Sequence, residues 1–594
     1  MLVIDFEVFK YDWLCVAYDL ITKKETVIVN DRTQFVQFYE QHKNDLWIGY
    51  NIRNYDSFIA KAILCDFDPK EVNDFIIEKK RKGYEYSRMF QQVPLCVFDI
   101  MPNPPVSLKV LEGFGGQNIC ESSISFTIDR KLAAHEIEEV IQYCRHDVQQ
   151  TLLVLSKRKE ELTSQLELVK MFDMPRSDMG RTKAQLSATI LGARRTQPRG
   201  DDLNFTIPSN LTVGEYQFVV DWFVECRDRA LNNIKNGVDQ EALLKDFYSQ
   251  KLECTVAGVP HVFAWGGIHG AIPNYNEKGY FVNVDVASYY PSMMIHYNYH
   301  SRNIVNPQKF VEIYNDRLAY KAKKDKRANP LKIVLNSTYG AMKDKYNPLY
   351  DPLMANNVCV TGQLQILSLI SNLQHRFDII QSNTDGILVK LRATNEDEAD
   401  VEFDALDEIC REWEKRSHMV LEFDEFAHVI QKDVNNYIIV DASGKYKSKG
   451  AYVKKLNSLD YDLPIVNKAL INHFVKGIPV EQTIGECDDL IEYQKIVKVS
   501  SLYLYGMHNG KQLNEKTFRV FASKREEDGM IYKVKTEGAK PEKFANTPEK
   551  CFIDNTQIVF DDGTKKQIPE WLDKQWYIDL AHKRINDFNE KVKK

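Results

Sequence analysis

Four carboxylates and a phenol recur in three stretches of the N-terminal part of the chain. Asp5 and Glu7 stand two apart in the apolar run MLVIDFEVF. In a strand such residues share a face, so two like charges lie side by side and need a cation or water between them. Asp56 follows Asn51 and Tyr55 in WIGYNIRNYDSFI. Tyr143 and Asp147 stand four apart in EIEEVIQYCRHDVQQTLLVL, on one face of an expected helix; His146 between them reads as a helix-surface residue. Oxygen ligands suit Mg²⁺ or Mn²⁺, and a phenol beside them can orient a water, so this set fits two-metal hydrolysis of a phosphodiester. A further carboxylate, Asp385, lies in DIIQSNTDGILVKL, where Asn383-Thr384-Asp385-Gly386 separates two apolar runs. Asn, Asp and Gly tolerate the left-handed backbone of a tight hairpin turn, so Asp385 is expected at a hairpin tip. Another carboxylate, Asp285, closes the apolar strand of YFVNVDVASYYPSMM before Pro291 turns the chain away.

The elements that must hold these groups need a large frame. A chain of 594 residues forms roughly three to five domains, since single cores stop growing near 250 to 300 residues. Hydrophobic residues at 44%, charged at 27% and aromatic at 11% give a globular profile. There is no uninterrupted apolar run of about 18 residues, and a soluble protein of the cytoplasm, with no membrane role, is expected. Eleven cysteines without a C-x-x-C pair predict neither disulfides nor structural zinc. The net charge of −6 conceals a division: residues 321–345 carry eight basic and two acidic side chains, whereas 391–426 carry four and thirteen. A local basic surface is what a polyanion meets, whatever the overall charge.

The three N-terminal stretches, in this order, resemble the ExoI, ExoII and ExoIII motifs of the DnaQ-like 3′-5′ proofreading exonucleases joined to family B DNA polymerases. The match covers Asp5 and Glu7, then Asn51, Tyr55 and Asp56, then Tyr143 and Asp147. Val8 stands where many relatives have Thr. YFVNVDVASYYPSMM resembles polymerase motif A, D-x-x-S-L-Y-P, with Tyr289 in the Leu position. The resemblance makes Asp285 and the Val286 carbonyl metal ligands and places Tyr290 under the sugar of the incoming nucleotide. Lys332-Ile-Val-Leu-Asn336-Ser-Thr-Tyr339-Gly340 fits motif B, K-x-x-x-N-S-x-Y-G, at every specified position. Lys332, Asn336 and Tyr339 recur at four and three along one helical face, and Arg317 with Lys321 resembles the pair that grips a triphosphate. Motif C is usually D-T-D; here Asn383 replaces the first Asp, and an amide accepts a hydrogen bond without supplying charge, which makes Asn383 a positioning group.

Phe263–Gly270, FAWGGIHG, resembles the segment linking exonuclease and polymerase in protein-primed phage enzymes, with Gly266 and Gly267 against template DNA and Ala264 in place of Tyr. NNYIIVDASGKYKSKG resembles the K-x-Y region: Tyr437 matches, Asn435 occupies the Lys position, and Lys447 and Lys449 are the expected primer contacts. Further on, His508-Asn509-Gly510-Lys511 reads as a hairpin turn, with Lys511 and Arg519 expected to meet backbone phosphates. From Glu396 to Glu414 an amphipathic helix is expected, apolar at Val401, Phe403, Leu406, Ile409 and Trp413.

The expected architecture is α/β and multidomain: an RNase H-like exonuclease at 1–165, a linker region at 166–275, palm at 276–305, fingers at 306–345, palm at 346–455 and thumb at 456–594. Only 46 residues separate Asp285 from Lys332, and 44 separate Gly340 from Asp385, room for two short antiparallel fingers helices and not for the insertions of protein-primed relatives. Pro330 is read as interrupting the helical pattern after Lys321. The resemblance implies a compact bacteriophage enzyme, monomeric, with two Mg²⁺ per active site, acting on primer-template DNA and dNTPs. A processivity factor or single-strand-binding protein would assist it. A nuclease with an inactive palm and a non-enzymatic replication scaffold are the competing classes.

Overall fold

The computed structural model describes residues 1–197, 199–457, 459–560 and 562–589, so the last five residues of the expected thumb lie outside the described residues. The chain forms two compact units. The first holds Met1–Gly180, Leu456–Ala469 and Pro479–Leu580; the second holds Arg181–Lys455, Leu470–Ile478 and Ala581–Lys594. This division departs from the domain boundaries expected above: most of the segment assigned to a separate thumb folds with the first 180 residues.

The first unit is built on β1 (Leu2–Val8), β2 (Trp13–Asp19), β3 (Glu25–Val29), β4 (Trp47–Gly49) and β5 (Val97–Asp99), in the order β3-β2-β1-β4-β5. Strands β1 to β3 are antiparallel, and β4 and β5 run parallel to β1. Alternation along β1 sends Leu2, Ile4, Phe6 and Val8 into a core with Phe35 and Trp47, leaving Asp5 and Glu7 to the opposite face. Trp47 is fully buried there, and truncating such a side chain to Ala costs about 3–5 kcal/mol. The other face is covered by the helix Ala134–Lys157, which buries Val140, Cys144, Asp147, Val148, Thr151, Val154 and Leu155 at helical spacing. The C-terminal part of the unit adds a three-stranded and a four-stranded sheet. Its turn at Asn509 and Gly510, both at positive φ, joins Tyr505–His508 to Lys511–Leu513 as the sequence predicts.

The second unit is organised by one antiparallel sheet of nine strands: β6 (Lys251–Val256), β7 (Val259–Ala264), β8 (Gly267–Ala271), β9 (Tyr275–Val286), β10 (Asp378–Ser382), β11 (Gly386–Lys390), β12 (Leu421–Asp433), β13 (Asn436–Val440) and β14 (Tyr446–Lys449). Their order is β14-β13-β12-β9-β11-β10-β8-β7-β6. Sheet pairing thus brings together β9 and β11, about a hundred residues apart in the chain. The FAWGGIHG segment, expected as a linker, supplies β8, which pairs with β10.

Between β9 and β10 the chain forms helices Gln308–Ala322 and Ala328–Met342, the expected short pair. Pro330 does not interrupt: it lies in the first turn of the second helix, where its missing N–H has no partner to lose. The helix Pro352–Leu373 is long and apolar enough to cross a bilayer by length and composition, yet 89% of its most apolar window is buried within the unit. In the acidic helix Glu396–Ser417 the buried stripe is Ala399, Leu406, Cys410, Trp413 and Ser417. Val401 is 62% exposed, against expectation, because the buried stripe enters this end of the helix at Ala399.

Candidate active sites

In the first unit the predicted carboxylates converge. Asp5 and Glu7 come from β1, Asp56 from the first turn of the helix Asp56–Leu64, and Asp147 with Tyr143 from the helix Ala134–Lys157. Cys144 donates its thiol to the Asp5 carbonyl at 3.4 Å and Oδ2 at 3.5 Å. Burial, then the charges of Asp56 and Asp147, raises the Asp5 carboxyl well above the usual range. Burial and then Asp5 do the same to Glu7. Asp56 is pushed up to about 7, mainly by burial. Its Oδ1 is buried with no hydrogen-bond partner among the described residues. Buried carboxylates that repel one another, one with an orphaned oxygen, form a donor set that fits hard divalent cations.

Two residues that the motifs do not include complete this cluster. Lys109 donates to Asp147, and to Glu112 at 3.1 Å, with its ammonium 4.6 Å from the Tyr143 ring centroid. Burial works against its charge but is outweighed by Asp147 and Glu112, so its pKa is raised. The signal in the sequence was a Lys and a Glu three apart inside the otherwise apolar SLKVLEGF. His146 corrects the expectation of a surface residue. Its side chain is 17% exposed and its Nε2 lies 3.5 Å from the fully buried Glu112. Burial opposes its charge, yet bonding to Cys120 and Glu112 lifts it to about 9. It faces inward because it neighbours Asp147 on a helix that is covered on that side.

The loop carrying Asn51 is held by Asp99 at the end of β5. Its carboxylate accepts the N–H groups of Asn51 at 3.0 Å, Arg53 at 3.2 Å and Met101 at 3.0 Å, which secures Asn51 at a φ of 64°. Tyr55 precedes the helix of Asp56, and its hydroxyl donates to Asn73 at 2.8 Å.

In the second unit β9 and β11 bring Asp285 directly opposite Gly386, and Asp385 occupies the turn just before it. This turn differs from expectation: none of residues 383–386 has positive φ. Asn383 closes it instead. Its side-chain oxygen accepts the N–H of Asp385 at 3.1 Å and of Gly386 at 2.9 Å, and its own N–H donates to the Gly386 carbonyl at 2.9 Å. Gly386 is required for another reason: an added Cβ would stand 1.9 Å from Asp285 Oδ1. Val286, at the end of β9, donates its N–H to the Asp385 carbonyl at 2.7 Å.

Asn283, two residues earlier on the same face of β9, donates to Asp285 Oδ2 at 2.6 Å. Burial first, then the Asp385 charge, pushes Asp285 up to about 6. Together with Tyr437, Lys447, Ser382 and Asn383 these residues line a cavity of about 180 Å³. Two carboxylates at its wall, one half-buried and raised by the other, again suit a divalent cation. Lys447 is held to Asp424 at 2.7 Å, and Tyr437 pairs across the strands with Lys449. Behind the turn, buried His261 bonds Ser382 Oγ through Nε2 at 2.7 Å and the Val259 carbonyl through Nδ1 at 2.9 Å. No sequence motif marked it.

The helix Ala328–Met342 presents Lys332 and Asn336 to solvent, with Tyr339 half-buried on the same face. Tyr339 packs against Tyr290, ring centroids 4.5 Å apart. Lys343 caps this stripe, 4.6 Å from the Tyr339 ring centroid and donating to the Trp265 carbonyl at 3.0 Å. On the preceding helix, Arg317 donates to Ser288 Oγ at 2.8 Å, tying it to the turn after Asp285, and Lys321 pairs with exposed Glu422 at 3.1 Å. Gly266 is open to solvent, and Gly267, at a φ of 143°, lies where an added Cβ would press on Thr384 of the Asp385 turn.

Of the two C-terminal cations, Lys511 is exposed on its hairpin. Arg519 is a correction: it is fully buried, and its guanidinium donates to the Thr556 carbonyl at 2.6 Å, Gln117 at 2.7 Å, Gln494 Oε1 at 3.1 Å, and Asp554 and Gly113 at 3.3 Å. Burial lowers its pKa to about 10. It fastens loops of the first unit and is out of reach of any phosphate. The sequence hid this because basic residues at 511, 516, 524 and 525 made Arg519 look like one of a surface series.

No family model matches the chain. Over 197 residues, 33% of the chain, it is 25% identical to DNA polymerase 1 of Sulfurisphaera ohwakuensis. Over 199 residues it is 24% identical to DNA polymerase 1 of Sulfolobus acidocaldarius. In both cases the match spans about a fifth, 21%, of the relative's length. A solved family B DNA polymerase, from the hyperthermophilic archaeon Pyrobaculum calidifontis, aligns with 100% of this chain and 78% of its own at 14% identity and a TM-score of 0.42. The chain is thus similar over a third of its length to archaeal DNA polymerases.

Proposed function

We propose that this chain is a DNA-directed DNA polymerase of the family B type with a 3′-5′ proofreading exonuclease. The observation that carries the reading is the pair of carboxylates Asp285 and Asp385, brought to one cavity wall by β9 and β11 beside Tyr437 and Lys447. The similarity to archaeal DNA polymerases supports it. A second buried acidic cluster with a phenol, Asp5, Glu7, Asp56, Asp147 and Tyr143, supports the exonuclease. The β3-β2-β1-β4-β5 order is read as an RNase H-like fold, and the nine-stranded sheet with its two helices as palm and fingers.

Asp285 and Asp385 would hold divalent cations, Mg²⁺ or Mn²⁺, at the polymerase site, and Asp5, Glu7, Asp56 and Asp147 would hold them at the nuclease site. When bound, such ions supply Lewis-acid stabilisation of charge on the phosphate and make an attacking oxygen available near neutral pH. The protein's own groups do the rest. Arg317, Lys321 and Lys332 offset triphosphate charge, and Tyr290 against Tyr339 floors the nucleotide. Asn283 and Asn383 hold the two carboxylates in register, while Lys447 and Lys449 meet primer phosphates. At the nuclease site Tyr143 orients the attacking water. The short intervals between motifs are the reason to expect priming by a nucleic-acid 3′-hydroxyl; the motif resemblance is the reason to place the enzyme in the DNA replication of a bacterial virus, in the host cytoplasm. A processivity factor or single-strand-binding protein would assist it.

A 3′-recessed primer-template incubated with and without dNTPs tests this. Asp385→Ala abolishes extension and leaves degradation; Asp5→Ala does the reverse. Persistence of each activity in its own variant would overturn the assignment.

A further inference from the structure

A basic surface in the first unit is used by none of this chemistry. The chain leaves the helix Pro69–Ile77 as Glu78-Lys79-Lys80-Arg81-Lys82 and continues through short 3₁₀ turns at Gly83–Glu85 and Arg88–Gln91. Residues 77–91 carry five basic and two acidic side chains, a net of +3. Arg81 is held by Glu85 at 2.7 Å. Lys79, Lys80, Lys82 and Arg88 are exposed and have no ion-pair partner among the described residues. Interleaved with them are Tyr84, 61% exposed, and Met89, 45% exposed.

The surface is firmly built. An added Cβ on Gly83 would stand 2.3 Å from the Phe58 ring. Tyr86 stacks on Phe90 at 5.9 Å, and Lys61 donates to the Phe90 carbonyl at 2.9 Å. Phe58 and Lys61 belong to the helix Asp56–Leu64, whose first residue is a member of the acidic cluster. The basic surface therefore rests on the element that presents Asp56.

We infer that this surface receives the single-stranded polynucleotide whose 3′ end enters the cluster of Asp5, Glu7, Asp56 and Asp147; the inference rests on the nuclease reading of that cluster. Unpaired ammonium and guanidinium groups meet successive phosphates, and an exposed ring and thioether offer stacking to bases that a duplex would hide.

The test uses the full chain in EDTA and a labelled oligothymidylate of about 16 residues. Each phosphate contact on a single strand contributes about 0.7 to the slope of log affinity against log salt. Four contacts give about 2.8, so over a fourfold salt increase the wild-type affinity falls about 50-fold more than that of K79Q/K80Q/K82Q/R88Q. Tyr84→Ala weakens binding about tenfold at any salt, on the scale of one stacked base. K79R/K80R/K82R, which keeps the charge, binds as the wild type does. With Mg²⁺ present, the quadruple variant raises KM for single-strand degradation and leaves kcat unchanged, since none of its residues touches the cluster.

An unchanged salt slope overturns the inference. So does an equal loss of affinity for a blunt duplex, or binding to phosphatidylserine vesicles lost while oligothymidylate binding is kept. If the wild type shows no nuclease activity but the binding results hold, the nuclease reading fails and the surface stands. If the variant binds and degrades as the wild type does, the surface fails and the nuclease reading stands.

Discussion

Replacing Gly386 by Ala perturbs the proposed polymerase site through a single methyl group. The new Cβ would lie 1.9 Å from Asp285 Oδ1 and 3.2 Å from the Val284 carbonyl. The second distance can be absorbed. The first must open by about 1 Å to reach 3.0 Å, the shortest approach real Cβ atoms show. A carboxylate is the mobile end of a side chain, so Asp285 swings away before the strands part, and leaves the amide of Asn283 that holds it at 2.6 Å. Folding then loses about 1–3 kcal/mol through overpacking. Catalysis loses more: a displacement of about 1 Å at a reacting group costs on the order of a hundredfold, or about 2.7 kcal/mol of barrier. Single-turnover primer extension by Gly386→Ala is expected to slow about a hundredfold, with degradation of single-stranded DNA unchanged as the internal control. A rate within about threefold of wild type, in a folded variant, would refute the reasoning that the position of Asp285 is set by the missing side chain opposite it.

Two further outcomes follow from buried charge. Arg519→Ala is expected to destabilise the chain by about 3–4 kcal/mol in urea unfolding, because it leaves several buried carbonyls without donors; the salt dependence of DNA binding stays as in the wild type, whereas a lowered slope would return Arg519 to the surface. Asp56 is held at about 7 against an ordinary 3.8, so without metal its penalty is full above pH 7 and is relieved as pH falls toward 4. Asp56→Asn should therefore melt higher than the wild type at pH 8 in EDTA, with the gap closing on acidification. Mg²⁺ should raise the wild-type midpoint more than the variant's, since an ionised carboxylate binds a hard cation more tightly than a neutral amide oxygen does. A variant that melts no higher than the wild type at pH 8 would show that Asp56 is not under strain.

The sequence was most legible where spacing translates directly into a shared face. Asp5 and Glu7 on a strand, Tyr143 and Asp147 on a helix, and Lys332, Asn336 and Tyr339 on another follow from period two and period 3.6 alone. The hairpin at Asp385 was legible as a turn but not in its mechanism, because Asn383 closes it with a side-chain oxygen where left-handed backbone was expected. Asp99 and His261 lay beyond reach for a different reason: each acts on a partner distant in sequence, and only strand order and packing bring them together; Lys109 left a local trace in its spacing to Glu112, but its bond to Asp147 is of the same distant kind. Arg519 misled because a buried Arg satisfied by carbonyls has the same letter and neighbours as one that meets solvent. His146 misled because a residue adjacent to Asp147 can face inward when the helix is covered on that side.

The guanidinium of Arg519 joins the carbonyl of Gln117 across 402 positions of chain and that of Gly113 across 406. On a ribosome adding about 5–20 residues per second, the earlier partners wait roughly 20 to 80 seconds for the later one. During that interval the end of the helix Leu108–Phe114, which carries Lys109, Glu112 and Gly113, and the chain that follows it to Gln117 lack their fastening. The acidic cluster that those two residues border is therefore completed late in synthesis, after the chain that carries Asp285 and Asp385 has already emerged.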